Sequence, residues 1–191
     1  MSSDQSNIST NVALEPIEDS DWPTGIKDML TGFAGGLNVY RIMAHHPALL
    51  RAWASLRDHI VNHSALRPED LEVVILRTGH RLGSSYEWQQ HIERARAKGL
   101  SDQRIAAIRG PLADMSRGDA VLCKAVDELF DTSTMQTETV EQLFRTIGKP
   151  ATFDLMATVG FYSTLGYILN SFDTPLDADI AERLAANPLQ S

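Results

Sequence analysis

Hydrophobic positions along the chain recur every three or four residues, which is the spacing of helices that bury one face. The segment PALLRAWASLRDHIVNHS places Leu49, Trp53, Leu56 and Ile60 on one stripe. The next segment, RPEDLEVVILRTGHRLG, starts with a proline in its first turn and stops at Gly83. No stretch alternates with a period of two, and no Asn-Gly hairpin occurs. The pattern predicts an all-α bundle.

Glycine and proline breaks separate further helical segments. SDWPTGIKDMLTGFAGG reads as one helix with Asp21 as its N-cap, and GSSYEWQQHIERARAKG as a helix between Gly83 and Gly99. PATFDLMATVGFYSTLGYILNSF is the most apolar helix, but polar residues interrupt it too often for a membrane span. We expect four parts: a disordered tail (1–15), a helical arm (16–46), a helical core (47–175) and a C-terminal tail (176–191).

The composition narrows the function classes. With 191 residues, of which 43% are hydrophobic, the chain can build one sizeable core. A net charge of −8 argues against nucleic acid or an anionic membrane as the partner. The polar N-terminus lacks the apolar region of a signal peptide, so we expect a cytoplasmic protein. One cysteine, Cys123, allows no internal disulfide and no cysteine zinc site.

Glu72 is the first candidate for chemistry, because apolar residues surround it in LEVVILR. Burial would raise the pKa of its carboxyl, which suits a proton donor near neutral pH. A structural role is equally compatible with the pattern. Acidic residues are favoured in the first turn of a helix, where Glu69 and Asp70 also lie.

Glu87 and His91 are four residues apart and share one helix face with Arg94 and Lys98. This stripe is also what a solvated face with ordinary ion pairs looks like. Moreover, Ser84-x-x-Glu87 is a capping box, in which Glu87 satisfies a backbone N–H group. Spacing alone favours these structural interpretations.

A metal site is not favoured by the histidine pattern. Di-iron bundles use Glu-x-x-His, which is one residue shorter than the spacing of Glu87 and His91. The adjacent pair His45 and His46 would point apart on a helix. We therefore predict no metal. His80, near the turn at the end of its helix, could face the same cleft as Glu87.

Three segments resemble the carboxymuconolactone decarboxylase family, which shares the alkylhydroperoxidase D fold. They are LNVYRIMAHHPALLRAW, LRPEDLEVVILRTGHRLGSSYEWQQHIERARAKGLSDQRIAAI and ATFDLMATVGFYSTLGYILNSF. The resemblance extends over roughly residues 20–180 and implies an alkylhydroperoxidase D-like helical bundle. It also implies a homo-oligomer, a trimer or a hexamer. The apolar residues that point nearly all round the last of these helices independently favour an oligomer.

In the family that this chain resembles, the alkylhydroperoxidase D branch has a motif of one Glu, eleven residues, Cys-x-x-Cys, three residues and one His. On this chain the glutamate falls on Glu72, the cysteines on Ser84 and Glu87, and the histidine on His91. Peroxide reduction by a dithiol needs one thiolate to attack and a second thiol to resolve the product. A serine and a glutamate cannot do this, and Cys123 has the surroundings of a core residue. We therefore predict no alkylhydroperoxidase-type peroxidase activity.

The decarboxylase branch lacks the cysteine pair, as this chain does. Membership of it implies a lyase or isomerase without a cofactor, acting on a small lactone or keto acid. The resemblance makes Glu72, Glu87 and His91 the catalytic candidates, with a contact between Glu72 and His91 across Gly83. A non-catalytic oligomer that binds a small ligand or partner is the alternative. Candidates for substrate binding are Ser84, His80 and Trp88. An arginine is a further candidate, either Arg41 or Arg77.

Overall fold

The computed structural model describes residues 12–190, and within them the fold is all α, as predicted. Three short 3₁₀ turns occur at Asp19–Asp21, Thr24–Ile26 and Leu112–Asp114. The α-helices are α1 (Lys27–Leu30), α2 (Asn38–Met43), α3 (Pro47–Asn62), α4 (Pro68–Arg81), α5 (Ser85–Ala97), α6 (Asp102–Ala107), α7 (Arg117–Thr132), α8 (Thr137–Thr146), α9 (Gly148–Ser171) and α10 (Ala178–Ala186). No helix in this part of the chain is long and apolar enough to cross a membrane.

Helix α4 is the centre of the bundle. It packs against α5, α7 and α9, and residues 70–79 are all buried. The run of Leu71 and Val73 to Leu76 explains this position, since apolar residues that point all round a helix require cover on every side. Glu72 lies within that run and is carried into the interior by its neighbours.

A tight connection folds α5 back on α4. Gly83 adopts a φ of +62°, a left-handed conformation that favours glycine, and the Ser84 N–H group donates to the Gly79 carbonyl. A Cβ atom at Gly79 would lie 3.2 Å from the Cβ atom of Glu87. The absence of a side chain at Gly79 thus lets the end of α4 approach the start of α5 where Glu87 is placed.

The N-terminal arm is more broken than the sequence predicts. The expected helix with Asp21 as N-cap is replaced by two 3₁₀ turns and the short helix α1, and Asp21 itself ends the first turn. Helix α1 ends early, at Leu30, where the chain turns back on itself. Gly35 makes this turn possible, because a Cβ atom at Gly35 would lie 1.9 Å from the Leu30 carbonyl oxygen. The arm nevertheless packs into the core through buried side chains that include Trp22, Ile26, Val39, Tyr40 and Met43.

The stripe predicted on α3 is only partly buried. Ile60 lies in the core and Trp53 stacks on Phe161 with the ring centroids 4.5 Å apart, but Leu49 and Leu56 are exposed. Helix α3 packs against α2, α9 and the 3₁₀ turn at Thr24–Ile26, and these contacts leave part of the stripe uncovered.

Both ends of the described chain pack on the bundle. The segment expected as a C-terminal tail contains α10, which packs against α5. At the other end, the Leu14 N–H group donates to the Phe172 carbonyl oxygen at 3.3 Å. The first eleven residues of the expected N-terminal tail lie outside the described residues.

Candidate active site

Glu72 and His91 meet in the interior, which is the contact that the sequence predicts. His91 Nδ1 lies 2.7 Å from Glu72 Oε2, and both side chains are almost completely buried. Because a carboxylate only accepts hydrogen bonds, Nδ1 carries the proton in this pair. The other ring nitrogen, Nε2, then presents a lone pair to its surroundings.

Glu87 lies on the far side of the same imidazole. Its Oε2 atom is 3.6 Å from His91 Nε2, while its Oε1 atom is buried without a hydrogen-bond partner among the described residues. The capping-box interpretation is therefore half right. Ser84 Oγ does accept from the Glu87 N–H group at 3.4 Å, but the Glu87 carboxyl turns inward and makes no return bond.

Burial sets the protonation of both α5 side chains. Loss of hydration raises the pKa of Glu87 to about 8, although the positive charge of Arg94 opposes the shift. Loss of hydration also lowers the pKa of His91, although the negative charge of the Glu72 carboxylate opposes this shift. At neutral pH the site therefore holds a protonated Glu87 next to a neutral imidazole, which in turn contacts Glu72.

A cavity of about 300 Å³ opens next to Glu72 and His91, and we call it the outer cavity. Its walls combine an apolar surface with a few polar groups, as is usual for small-molecule sites. The lining residues are Val61, Asn62, Ser64, Leu66, Pro68, Leu71, Glu72, Ile75, His91, Arg94, Ala97, Lys98 and Tyr162. Glu87 is not among them, so it can reach a bound molecule only through His91.

Arg94 is the arginine that the structure brings to the outer cavity. It is half-buried, and its guanidinium makes no hydrogen bond or ion pair with any other described residue. A guanidinium with five free donors next to an apolar wall is suited to binding a carboxylate. The sequence did carry a signal for it, because Arg94 lies one helical turn after His91 on the same stripe.

Tyr162 of α9 is a wall residue that sequence reasoning missed. Its ring packs edge-on against the His91 imidazole, with the centroids 5.1 Å apart, and its hydroxyl has no hydrogen-bond partner in the described part of the chain. Burial raises its pKa well above the usual value, so the hydroxyl stays a neutral donor. Nothing in the apolar sequence of α9 distinguishes this tyrosine from a core residue.

A second, much smaller cavity of about 20 Å³ lies deeper, and we call it the inner cavity. Glu87, His91, Arg94 and Tyr162 border it, and the N-terminal arm closes it with Leu37, Val39 and Tyr40. This volume matches one water molecule and excludes a substrate. The arm thus covers the site of its own chain.

The other candidates for substrate binding lie elsewhere. Ser84 is the buried N-cap of α5, and His80 and Trp88 face a different side of α5, where Arg109 covers the Trp88 ring. Arg41 ties the arm together through Gly35, Ile17 and Asp19, so it does not reach the outer cavity. The second guess, Arg77, is held by Asp127 and two carbonyl groups.

Neither a metal-binding cluster nor a reactive thiol is present among residues 12–190. Within residues 12–190, no group of three or more histidine, cysteine, aspartate or glutamate side chains is arranged to hold a metal ion. Cys123 is buried in the core, and burial raises the pKa of its thiol to about 12. A thiol that stays protonated is a poor nucleophile.

We expect the Cys123→Ser variant to consume hydroperoxides no faster and no slower than the wild type. The physical reason is that Cys123 is neither ionised nor within reach of a second cysteine. A peroxide-consumption assay with a dithiol reductant checks this. Thiol-dependent turnover in the wild type that disappears in the variant would contradict it.

Comparison with known proteins agrees with this architecture. Residues 47–129 match the model of the Carboxymuconolactone decarboxylase family, a segment that includes Glu72, Glu87, His91 and Arg94. No curated protein matches the chain. Two solved structures of the debrominase Bmp8 are similar, one without ligand and one of a cysteine-to-alanine variant in complex with 2,3,4-tribromopyrrole. Each has 16% identity and a TM-score of 0.66, covering 93% of this chain and 98% of that chain, which is a likeness of fold.

Proposed function

We propose that this chain, in which residues 47–129 match the model of the carboxymuconolactone decarboxylase family, is a cofactor-free acid/base enzyme acting on a small lactone or keto acid. Decarboxylation is the first reaction to test, and isomerisation would add the removal of a proton from carbon before the same protonation step. The observation that carries the proposal is the buried series Glu72, His91 and Glu87, which ends at the wall of a cavity.

The proposed reaction begins with the loss of CO₂ from the substrate. The electron pair of the breaking bond moves into the neighbouring carbonyl group and forms an enolate. The Tyr162 hydroxyl donates a hydrogen bond to the enolate oxygen, where negative charge develops. The reaction thus needs no electron acceptor other than the carbonyl group of the substrate.

Protonation of carbon completes the turnover. The proton of Glu87 passes to His91 Nε2, the Nδ1 proton passes to Glu72, and Glu72 delivers it to the substrate carbon. One proton leaves Glu87 and one C–H bond forms. A solvent proton taken up by Glu72 at the outer cavity then returns along the same relay and restores Glu87 and the His91 tautomer. The 3.6 Å separation of Glu87 and His91 must shorten for this transfer, since it exceeds an ordinary hydrogen bond.

The substrate class follows from the lining of the outer cavity. Arg94 and Lys98 supply positive charge for a carboxylate, while Leu66, Leu71 and Ile75 supply an apolar wall for a carbon skeleton. A volume of about 300 Å³ suits a compact acid. The debrominase with the similar fold also binds a small ring compound, 2,3,4-tribromopyrrole.

The test is a panel of small lactone and keto acids, followed by NMR for consumption and product. We expect the wild type to convert at least one acid, and the Arg94→Met variant to show a KM raised about 10–100-fold, the cost of one charged hydrogen bond. Arg145→Met, which removes a surface guanidinium outside both cavities, is the matched control. Conversion that is equally efficient in the Arg94→Met variant would contradict the proposed role of Arg94.

We propose further that the chain forms a homo-oligomer, a trimer or a hexamer. One face of α9 exposes Phe153, Met156 and Tyr167, and a Cβ atom placed at Gly160 on the same face would point into open space. Exposed apolar surface of this kind is typical of a contact between chains. Leu49 and Leu56 of helix α3, which packs against α9, are also exposed.

Light scattering on the purified protein checks the assembly. We expect three or six times the chain mass of 21.1 kDa, and a fall in mass for Phe153→Asp, because a charge on the buried face must lose its hydration. Glu182→Lys on the exposed side of α10 is the control. A mass near that of one chain for the wild type at micromolar concentration would rule the oligomer out.

A further inference from the structure

Three separate segments of the chain meet at the carboxylate of Asp177, just before α10. This side chain is only 6% exposed. It accepts hydrogen bonds from the Tyr86 hydroxyl and the Gln90 amide of α5, and from the backbone N–H group of Asn38 at 2.8 Å. A buried carboxylate with three donors is stable in place, and removing it would leave all three donors without a partner.

Tyr86 adds a second connection to the arm. Its hydroxyl oxygen accepts from the Val39 N–H group at 3.3 Å, while the Asn38 side-chain amide donates to the Pro175 carbonyl at 3.0 Å. The first N–H groups of a helix have no partner within the helix. Those of α2 are therefore satisfied by α5 and by the segment before α10, which fixes where α2 begins.

The start of α2 is also the cover of the inner cavity. Leu37, Val39 and Tyr40 close this cavity from the arm side, and Glu87 lies on its opposite wall. The residues that hold the arm, Tyr86 and Gln90, border the same cavity. If the arm moved away, water would reach the Glu87 carboxyl directly.

We propose that Asp177 is a positioning residue that holds the start of α2 against α5 and thereby keeps bulk water away from Glu87. The inference rests on the proposed role of Glu87 as a proton donor and adds the means by which the fold maintains that role. Asp177 lies far along the chain from the matched family segment 47–129, so nothing in that segment indicates it.

The surroundings of Glu87 indicate that its burial beneath the arm controls its pKa. Burial is the largest cause of the raised pKa of Glu87, ahead of Arg94, which lowers it, and Glu72, which raises it. The ionisable groups that face or border the inner cavity come from four helices: Tyr40 of α2, Glu72 of α4, Tyr86, His91 and Arg94 of α5, and Tyr162 of α9. Loss of the arm would restore hydration while most of these charges stay in place, so the pKa of Glu87 should fall.

The test follows the Glu87 proton directly and needs no substrate. A protonated buried carboxyl gives an infrared C=O band that is separate from those of ionised carboxylates, and Glu87→Gln identifies the band by its loss. Tyr86→Phe keeps the ring but removes the hydrogen bond with Val39 of the arm and the one with Asp177, and Asp177→Ala removes the anchor. In both variants we expect the titration midpoint of the band to fall by about one pH unit or more.

Controls separate positioning from simple destabilisation. Arg104→Met breaks the ion pair with Asp119, which lies outside both cavities, and should lower the melting temperature without moving the midpoint. Asp177→Asn keeps an acceptor oxygen, so its titration midpoint should lie between those of Asp177→Ala and the wild type. An unchanged midpoint in folded Tyr86→Phe and Asp177→Ala would overturn this inference alone. Absence of the band in the wild type at pH 7 would overturn the role of Glu87 as well.

Discussion

The Glu72→Gln variant is expected to lose about 10³-fold in kcat on any acid that the wild type converts, which is the usual contribution of a general acid/base. Glutamine keeps the size of the side chain and can still contact His91, but it cannot carry a proton to carbon. The KM should change little, because Arg94 and the apolar wall, not Glu72, bind the substrate. Steady-state kinetics with the panel acid measure both constants.

Glu69→Gln is the matched control for this variant. Glu69 lies one turn earlier on α4, where it pairs with Arg67 at the surface. The Glu69→Gln variant should retain wild-type kcat. A Glu72→Gln variant that folds normally and keeps most of its kcat would remove Glu72 from the mechanism, whatever becomes of His91.

The second large effect concerns stability and pH. The pKa of Glu87 rises from 4.5 in the unfolded chain to about 8 in the folded protein. Between these values the folded state holds the proton more tightly, so stability falls as pH rises from 4.5 through 8. At about 1.4 kcal/mol per unit, the full range corresponds to roughly 5 kcal/mol, and the part above pH 6.5 to roughly 2 kcal/mol.

Urea unfolding at pH 6.5 and pH 8.5 measures this loss. The interval begins at pH 6.5 because the lowered pKa of His91 weakens folding only below the ordinary histidine value of 6.5. The Glu87→Gln variant should lack the fall of roughly 2 kcal/mol that the wild type shows across this interval. Glu93→Gln, on the same helix but paired with Arg96, is the control and should behave like the wild type. Equal pH dependence in the wild type and Glu87→Gln would show that Glu87 ionises normally.

Local signals in the sequence predict the α4–α5 hairpin, and the spacing together with the family resemblance predicts its central contact. Pro68 starts α4, Gly83 ends it, and the short connection leaves Glu72 and His91 facing one another. The inward turn of Glu87 is not local. It depends on Gly79, which lets α4 come close, and on the arm, which closes the space beside Glu87.

The substrate-binding residues show where one sequence is insufficient. Arg41, Arg77 and Arg94 have the same chemistry, and only their partners distinguish them. Arg41 and Arg77 are occupied by carbonyl groups and carboxylates from distant parts of the chain, which leaves Arg94 as the arginine facing the outer cavity. Such pairing arises from tertiary packing and has no periodic pattern in the sequence.

The same limit applies to the ends of the chain. The segment after residue 175 is polar enough to pass for a tail, yet Asp177 is buried where α2, α5 and the start of α10 meet. An aspartate before a helix is usually an N-cap. Here its carboxylate is used by other segments, and α10 has no side-chain cap.

Transfer of a proton to carbon by this site is the central claim, and deuterium labelling tests it most directly. The panel acids are incubated in D₂O with the wild type and with His91→Ala, and the carbon next to the carbonyl group is followed by NMR. We expect enzyme-dependent deuterium at that carbon in at least one acid, with the rate reduced about 10²–10⁴-fold in His91→Ala. No incorporation in any acid, or incorporation at equal rates in both proteins, would contradict it.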